Sequence, residues 1–128
     1  MLDAKTWVLI GGIFNLAFAI FHLLFWRIFG WKNELARLSF INRAIVQVLN
    51  LCLTFVFIIF SYLSLARSEE LLSTALGRSI LVLIAVFWLL RAVYQAVFFK
   101  LRHWASWAFF AAFVGGASLY AAALSAAS

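Results

Sequence analysis

Residues 44–66 read AIVQVLNLCLTFVFIIFSYLSLA, an apolar run without a charged side chain. A helix of about 20 residues spans the roughly 30 Å hydrocarbon core of a bilayer, and this run exceeds that length. Lipid offers backbone N–H and C=O groups no hydrogen-bond partners, so a spanning segment must be a helix or part of a closed barrel. Because the run lacks the polar/apolar alternation of a barrel strand, it predicts a transmembrane helix.

Three further runs of the same kind occupy residues 6–29, 79–99 and 104–126, and the four are numbered spans 1 to 4 in chain order. The chain has 128 residues, of which 68% are hydrophobic and 11% charged. A soluble domain of this size exposes too much of its surface to keep such a composition from water. We therefore predict an all-α integral membrane protein, a single domain over residues 1–128 with a bundle of four transmembrane helices. The loops at 30–43 and 67–78 predict short interfacial helices.

Positive charges are unequally distributed between the two ends of the spans. One end, formed by the loops between spans 1 and 2 and between spans 3 and 4, holds Arg27, Lys32, Arg37, Arg43, Lys100 and Arg102. The other end holds Lys5, Arg67 and Arg78 together with three acidic residues. Since cytoplasmic loops carry the excess of Lys and Arg, we expect a multi-pass protein of the cell inner membrane with both termini outside, periplasmic in a bacterium.

The net charge of +6 follows from this topology. Positive residues scattered along membrane borders meet anionic headgroups first, and the sequence carries no nucleic-acid-binding motif. The expected partners are membrane lipids, and nucleic acid is not among them.

Polar residues form a stripe along span 2. At about 100° per residue, one face within about 60° carries Arg43, Gln47, Asn50, Thr54 and Ser61. Such groups need polar partners in hydrocarbon, so the stripe is expected to face other helices or an internal cavity. Spans 1 and 3 offer polar side chains at the same depth. The predicted ligand-binding cluster is therefore Asn15, His22, Arg43, Gln47, Asn50, Arg91 and Gln95.

Arg91 is the most informative residue of this cluster, because arginine stays charged and must find an anion, a carbonyl cluster or water. None of the four spans contains Asp or Glu. Three hypotheses are open for Arg91: it snorkels toward the headgroups, it hydrogen-bonds Gln47 and Asn50, or it faces a pocket for an anionic or carbonyl-bearing ligand. For His22, the alternatives are a hydrogen bond across helices and a role in proton transfer or ligand binding.

Span 4 carries small residues at four-residue spacing, Ala108, Ala112 and Gly116. Small residues let helix backbones approach closely, which is how membrane helices associate. We predict that this line packs against another helix, either inside the bundle or across a homodimer.

In size and number of spans the chain resembles two families of small membrane proteins, the fluoride channels of the Fluc family and the small multidrug exporters. Span 1 lacks the embedded glutamate of the exporters, and Gly11 and Gly12 are not followed by the arginine of the fluoride channels. The residues therefore assign the chain to neither family.

The sequence shows no nucleophile–base pair, no paired carboxylates, no metal-ligand spacing and no cofactor motif. We expect a protein without enzymatic activity, metal or cofactor that binds a lipid-like or anionic ligand, or a membrane-protein partner, through the polar cluster. The alternative is a small dimeric transporter or channel whose path the span-2 stripe lines. A path should be polar across the full thickness, whereas this stripe is dense only from Arg43 to Thr54, which favours a half-depth pocket.

The orientation predicts the accessibility of introduced cysteines. In a Cys52→Ala background, Gly30→Cys and His103→Cys should resist impermeant thiol reagents added from outside, because the charge asymmetry places both loops in the cytoplasm. Ser128→Cys should react. Labelling of the two loops from outside would reverse the orientation.

Overall fold

The structure is a computed structural model that describes residues 2–128. In chain order its helices are α1 (Ala4–Leu23), α2 (Phe25–Ile28), α3 (Trp31–Glu34), α4 (Phe40–Ala66), α5 (Ser68–Ser73), α6 (Ala75–Tyr94) and α7 (Trp104–Ala127). A 3-10 turn at Leu35–Arg37 follows α3, and a π-helical turn at Gln95–Phe99 continues α6. The described residues contain no strand.

Four of these helices, α1, α4, α6 with its π-helical continuation, and α7, are long and apolar enough to cross a membrane. Their outward faces are apolar: Ile13, Leu49 and Leu83 expose 62%, 63% and 65% of their surface. Contiguous apolar surface on this scale is unusual for a monomeric protein in water. These features indicate a multi-pass membrane protein.

The first long helix is shorter than the predicted span, because α1 ends at Leu23 and not at residue 29. The N–H of Leu24 bonds the carbonyls of Ile20 and Phe21, at 3.2 and 3.1 Å, which tightens the last turn and lets the chain bend into α2. The sequence continues apolar through this point and contains no proline, so its periodicity did not predict the break.

Two other helices begin earlier than predicted, because hydroxyl side chains cap them. The Ser39 hydroxyl accepts a hydrogen bond from the N–H three residues later at 3.2 Å, and α4 therefore begins at Phe40. The Thr74 hydroxyl does the same at 2.9 Å, and α6 begins at Ala75. Such caps satisfy N–H groups that the first turn leaves free, and apolar content alone does not reveal them.

Aromatic rings from all four long helices fill the middle of the bundle. Trp88 of α6 is fully buried and stacks between Phe57 of α4, at 5.1 Å, and Phe113 of α7, at 5.7 Å between ring centroids. Phe14 and Phe18 of α1 pack against the same indole at 4.8 and 5.0 Å. This stack closes the centre of the bundle.

A buried hydrogen-bond network joins the same four helices. The Nδ2 of Asn15 donates to the carbonyl of Gly11, at 2.9 Å, and to the hydroxyl of Tyr120, at 2.8 Å. Its Oδ1 accepts from the indole N–H of Trp88 at 3.1 Å. The Tyr120 hydroxyl also lies 2.7 Å from the Ser64 hydroxyl. One asparagine of α1 is thus linked to α4, α6 and α7.

Glycines allow close helix contacts in this region. A Cβ at Gly11 would lie 2.6 Å from the ring of Tyr120, so this glycine lets the ring from α7 lie directly against the backbone of α1. A Cβ at Gly12 would likewise lie 2.6 Å from the side chain of Leu65 in α4. The three small residues that were predicted to pack as one line on span 4 differ in burial: Gly116 is buried, Ala112 is half-buried and Ala108 is exposed.

Gly116→Leu should destabilise the bundle, because a side chain there would meet the ring of Phe14, which is itself packed on Trp88. The expected loss is about 1–3 kcal/mol, measured as thermal unfolding in detergent. The neighbouring Gly115 is a matched control: a Cβ there meets no atom within 4 Å, and Gly115→Leu should leave the melting temperature close to the parent's. Equal stability of both variants would show that α7 does not pack through Gly116.

Candidate cavity at one end of the bundle

A cavity of about 590 Å³ lies where α1 and α6 end and α7 begins. Its volume is within the range of roughly 300–1,000 Å³ typical of small-molecule sites. Aromatic rings from α1, α2, α3, α7 and the π-helical turn form most of its wall. The polar side chains that line it are His22, Glu34, Arg91, Gln95 and Ser106.

Arg91 is half-buried in this wall, with its guanidinium 4.3 Å from the ring centre of Phe113 and 5.4 Å from that of Phe99. Such cation–π contacts hold the planar group but leave its N–H donors free. Within residues 2–128, no hydrogen bond or ion pair joins Arg91 to another protein group. The carboxylate of Glu34 lies 3.6 Å from Arg37 instead.

His22 stands in the last turn of α1 and is joined to Asn50 of α4 by two hydrogen bonds. The Nδ2 of Asn50 donates to the carbonyl of His22 at 3.0 Å, which leaves the amide Oδ1 facing the ring, 2.8 Å from Nδ1. A carbonyl oxygen only accepts, so Nδ1 carries the proton and donates. Within the described residues, Nε2 has no protein partner, and the imidazole lines the cavity.

Gln95 ties the end of α6 to the start of α7. Its Nε2 donates to the hydroxyl of Ser106 at 3.0 Å, and this hydroxyl in turn bonds the carbonyl of Lys100. Lys100 has a φ of 61°, a positive value that residues other than glycine rarely adopt, at the point where the chain passes from α6 to α7. Gln95 is buried and also borders the cavity, so its first role is to close this corner.

A second, smaller cavity of about 170 Å³ lies beside the first, between α2, α3 and the start of α4. Gln47 organises it: Oε1 accepts from the indole N–H of Trp26 at 3.2 Å, and Nε2 donates to the carbonyl of Arg43 at 3.1 Å. Lys32 and Arg43 supply its charged groups. Trp31 lines both cavities and forms part of the wall between them.

The predicted polar cluster is therefore distributed over three places. His22, Arg91 and Gln95 line the larger cavity, with Asn50 behind His22. The other members lie elsewhere: Arg43 and Gln47 line the smaller cavity, and Asn15 is in the central network.

Sequence reasoning missed the aromatic partners of Arg91 and the loop residues that complete the wall. Phe99 and Phe113 follow Arg91 on different elements, and no spacing in the sequence indicates that both meet one guanidinium. Glu34 and Trp31 reach the cavity only because α1 stops at Leu23 and the chain folds back.

Among residues 2–128, no group of three or more His, Cys, Asp or Glu side chains lies close enough together to hold a metal ion. Comparison of the chain with protein-family models, with curated proteins and with solved structures found no match. The geometry of the cavity is therefore the basis on which a function can be argued.

The two histidines should be opposite tautomers when neutral. His22 donates from Nδ1 to Asn50, whereas the Nδ1 of His103 accepts the N–H of Ala105 at 3.1 Å. Nitrogen chemical shifts of histidine-labelled protein should show protonated Nδ1 at His22 and protonated Nε2 at His103. Asn50→Leu should remove the preference of His22 for a protonated Nδ1 and leave the tautomer of His103 unchanged. A protonated Nε2 with a bare Nδ1 at His22 would contradict this hydrogen bond.

Proposed function

We propose that the protein binds a lipid-like ligand with an anionic or carbonyl-bearing head group, and that the ligand occupies the larger cavity. The observation that carries this proposal is Arg91, a cation held between rings with its donors unused by the protein. Buried or half-buried polar groups in native proteins are normally paired, so an unpaired guanidinium facing a cavity favours an external acceptor.

The position of His22 supports a head group that bonds Arg91 and His22 together. Arg91 can only donate, while Nε2 of neutral His22 can accept, because its Nδ1 already donates to Asn50. A carboxylic acid, or a hydroxyl beside a carbonyl, satisfies both positions. The rings of Phe21, Phe25 and Phe109 offer apolar surface for the body of the ligand.

We further propose that the protein lies in the cell inner membrane with this cavity in the cytoplasmic half. The positive residues that flank the α1–α4 and α6–α7 connections support this orientation, because they are concentrated at the cavity end of the bundle. The ligand then enters from the cytoplasm or from the inner leaflet.

Binding is better supported than conduction. A conduit needs a polar path across the bundle, and the stacked rings of Phe57, Trp88 and Phe113 fill its centre. The inward stripe of α4 is buried beyond Asn50 at Thr54 and Ser61, and Thr54 bonds a carbonyl of its own helix. The channel alternative therefore requires this stack to open.

Arg91→Met tests the proposal. Palmitate serves as the probe in detergent, because it is an apolar chain whose carboxyl group can share one proton with Nε2 of His22 while it accepts from Arg91. Native mass spectrometry records it together with any copurifying molecule. Loss of hydrogen bonds to a charged group should weaken palmitate binding roughly 10- to 100-fold. Helix content and melting temperature should stay level or rise, because no protein hydrogen bond is lost and a charge near hydrocarbon is costly.

Two further variants make the result specific. Arg91→Lys should restore binding only in part, since an ammonium lacks the planar fork of a guanidinium. Arg78→Met removes one exposed arginine that does not line the cavity, and should bind palmitate like the parent. Equal binding by the parent and Arg91→Met would exclude Arg91 as the head-group ligand.

A further inference from the structure

The smaller cavity gathers two positive charges without a protein anion. Lys32 of α3 and Arg43 of α4 line it, and no carboxylate is among its lining residues. Neither side chain forms an ion pair with another group in residues 2–128, although three other basic residues of the chain do. Two cations facing one pocket repel each other, so an anion between them is favourable.

The pocket is built and not merely a charged surface. Gln47 is held on both sides of its amide, by the indole N–H of Trp26 and by the carbonyl of Arg43. The indole rings of Trp26 and Trp31 meet edge to face, 5.0 Å apart. These contacts fix one wall of the pocket and the backbone from which Arg43 projects.

The surroundings distinguish a lipid from other anions. Next to Arg43, the first turn of α4 turns Phe40 and Ile41 outward, with 72% and 63% of their surface exposed. The indoles of Trp26 and Trp31 are amphipathic groups of the kind that lie at the headgroup level. A head group in the pocket therefore leaves its acyl chains beside exposed apolar side chains.

We propose that the smaller cavity is a binding site for the phosphate of an anionic glycerophospholipid. Arg43 provides the planar donor for two phosphate oxygens, and Lys32 of α3 provides a second charge. Because Trp31 belongs to the walls of both cavities, a phosphate that draws Lys32 and Arg43 together also braces one side of the larger cavity. This site is separate from Arg91 and does not depend on the ligand proposed above.

The test compares charge-matched variants in detergent at about 0.15 M ionic strength, where charges beyond roughly 8 Å are screened. The probes are a short-chain phosphatidylglycerol and a phosphatidylcholine with the same chains, and native mass spectrometry counts the bound lipid. Lys32→Gln with Arg43→Gln should weaken phosphatidylglycerol binding roughly 25-fold, about 5-fold for each cation. The control, Arg27→Gln with Arg102→Gln, removes the same charge from exposed residues outside the pocket and should keep the parent's affinity.

Each other outcome overturns the proposal. Equal losses in the two double variants would mean diffuse surface charge, and equal binding of both lipids would mean no recognition of an anionic head. Inorganic phosphate that binds as tightly as the lipid would make this a free-phosphate site.

Two single variants keep the test independent of folding and of the larger cavity. Lys32→Gln changes an exposed side chain without a protein hydrogen bond, and should still show the 5-fold loss expected for one cation. Arg91→Met should leave phosphatidylglycerol binding unchanged, and a loss in that variant would place the lipid in the larger cavity.

Discussion

The amide of Asn15 is the interaction on which the arrangement of the four long helices depends. It is fully buried, and each of its polar atoms has a partner in the protein. When helices pack in an apolar surrounding, apolar contact with a neighbour is hardly better than contact with the solvent, so close packing and hydrogen bonds decide their rotation and depth. Through Tyr120 and Trp88, one side chain of α1 determines where α6 and α7 lie, and Ser64 extends the link to α4. Gly11 leaves room for the Tyr120 ring against the backbone of α1, and Gly12 leaves room for the side chains of Ser64 and Leu65 from α4.

The cavity follows from what happens to the helices beyond this network. Near the centre, the rings of Phe57, Trp88 and Phe113 stack against one another. Toward the cavity end, α1 stops at Leu23 and α6 changes into a π-helical turn at Gln95–Phe99. Departures of this kind from regular helix are frequent at functional sites, because they re-aim side chains that a continuous helix would direct elsewhere. The rings of the short segments then form a wall around the open volume.

The polar residues around the cavities differ in whether they hydrogen-bond another protein group, and among the described residues Arg91 does not. The amides of Asn50, Gln47 and Gln95 each bond a protein group on another element, so they hold helices, turns and loops in place. Arg91 differs, since its contacts are aromatic faces that position a guanidinium without accepting its hydrogen bonds. A structural role for every polar residue would leave this exception unexplained, because an arginine that served only packing could be an apolar side chain at lower cost.

The sequence by itself determined the four long apolar helices and the inward stripe of α4, because apolar length and helical periodicity are local properties of each segment. The sequence also contains the capping residues Ser39 and Thr74. Because the prediction did not use them, it placed the starts of α4 and α6 too late. Only the tertiary structure decided which polar residues meet. Asn15 and Tyr120 are 105 positions apart, and whether they touch depends on the rotation and depth of two helices, which spacing within either helix does not specify. For the same reason, the polar cluster was predicted only from the depth of each residue along its helix. In the folded chain, α1 ends early and the segment of α2 and α3 folds back, so these residues are divided between two cavities and the central network.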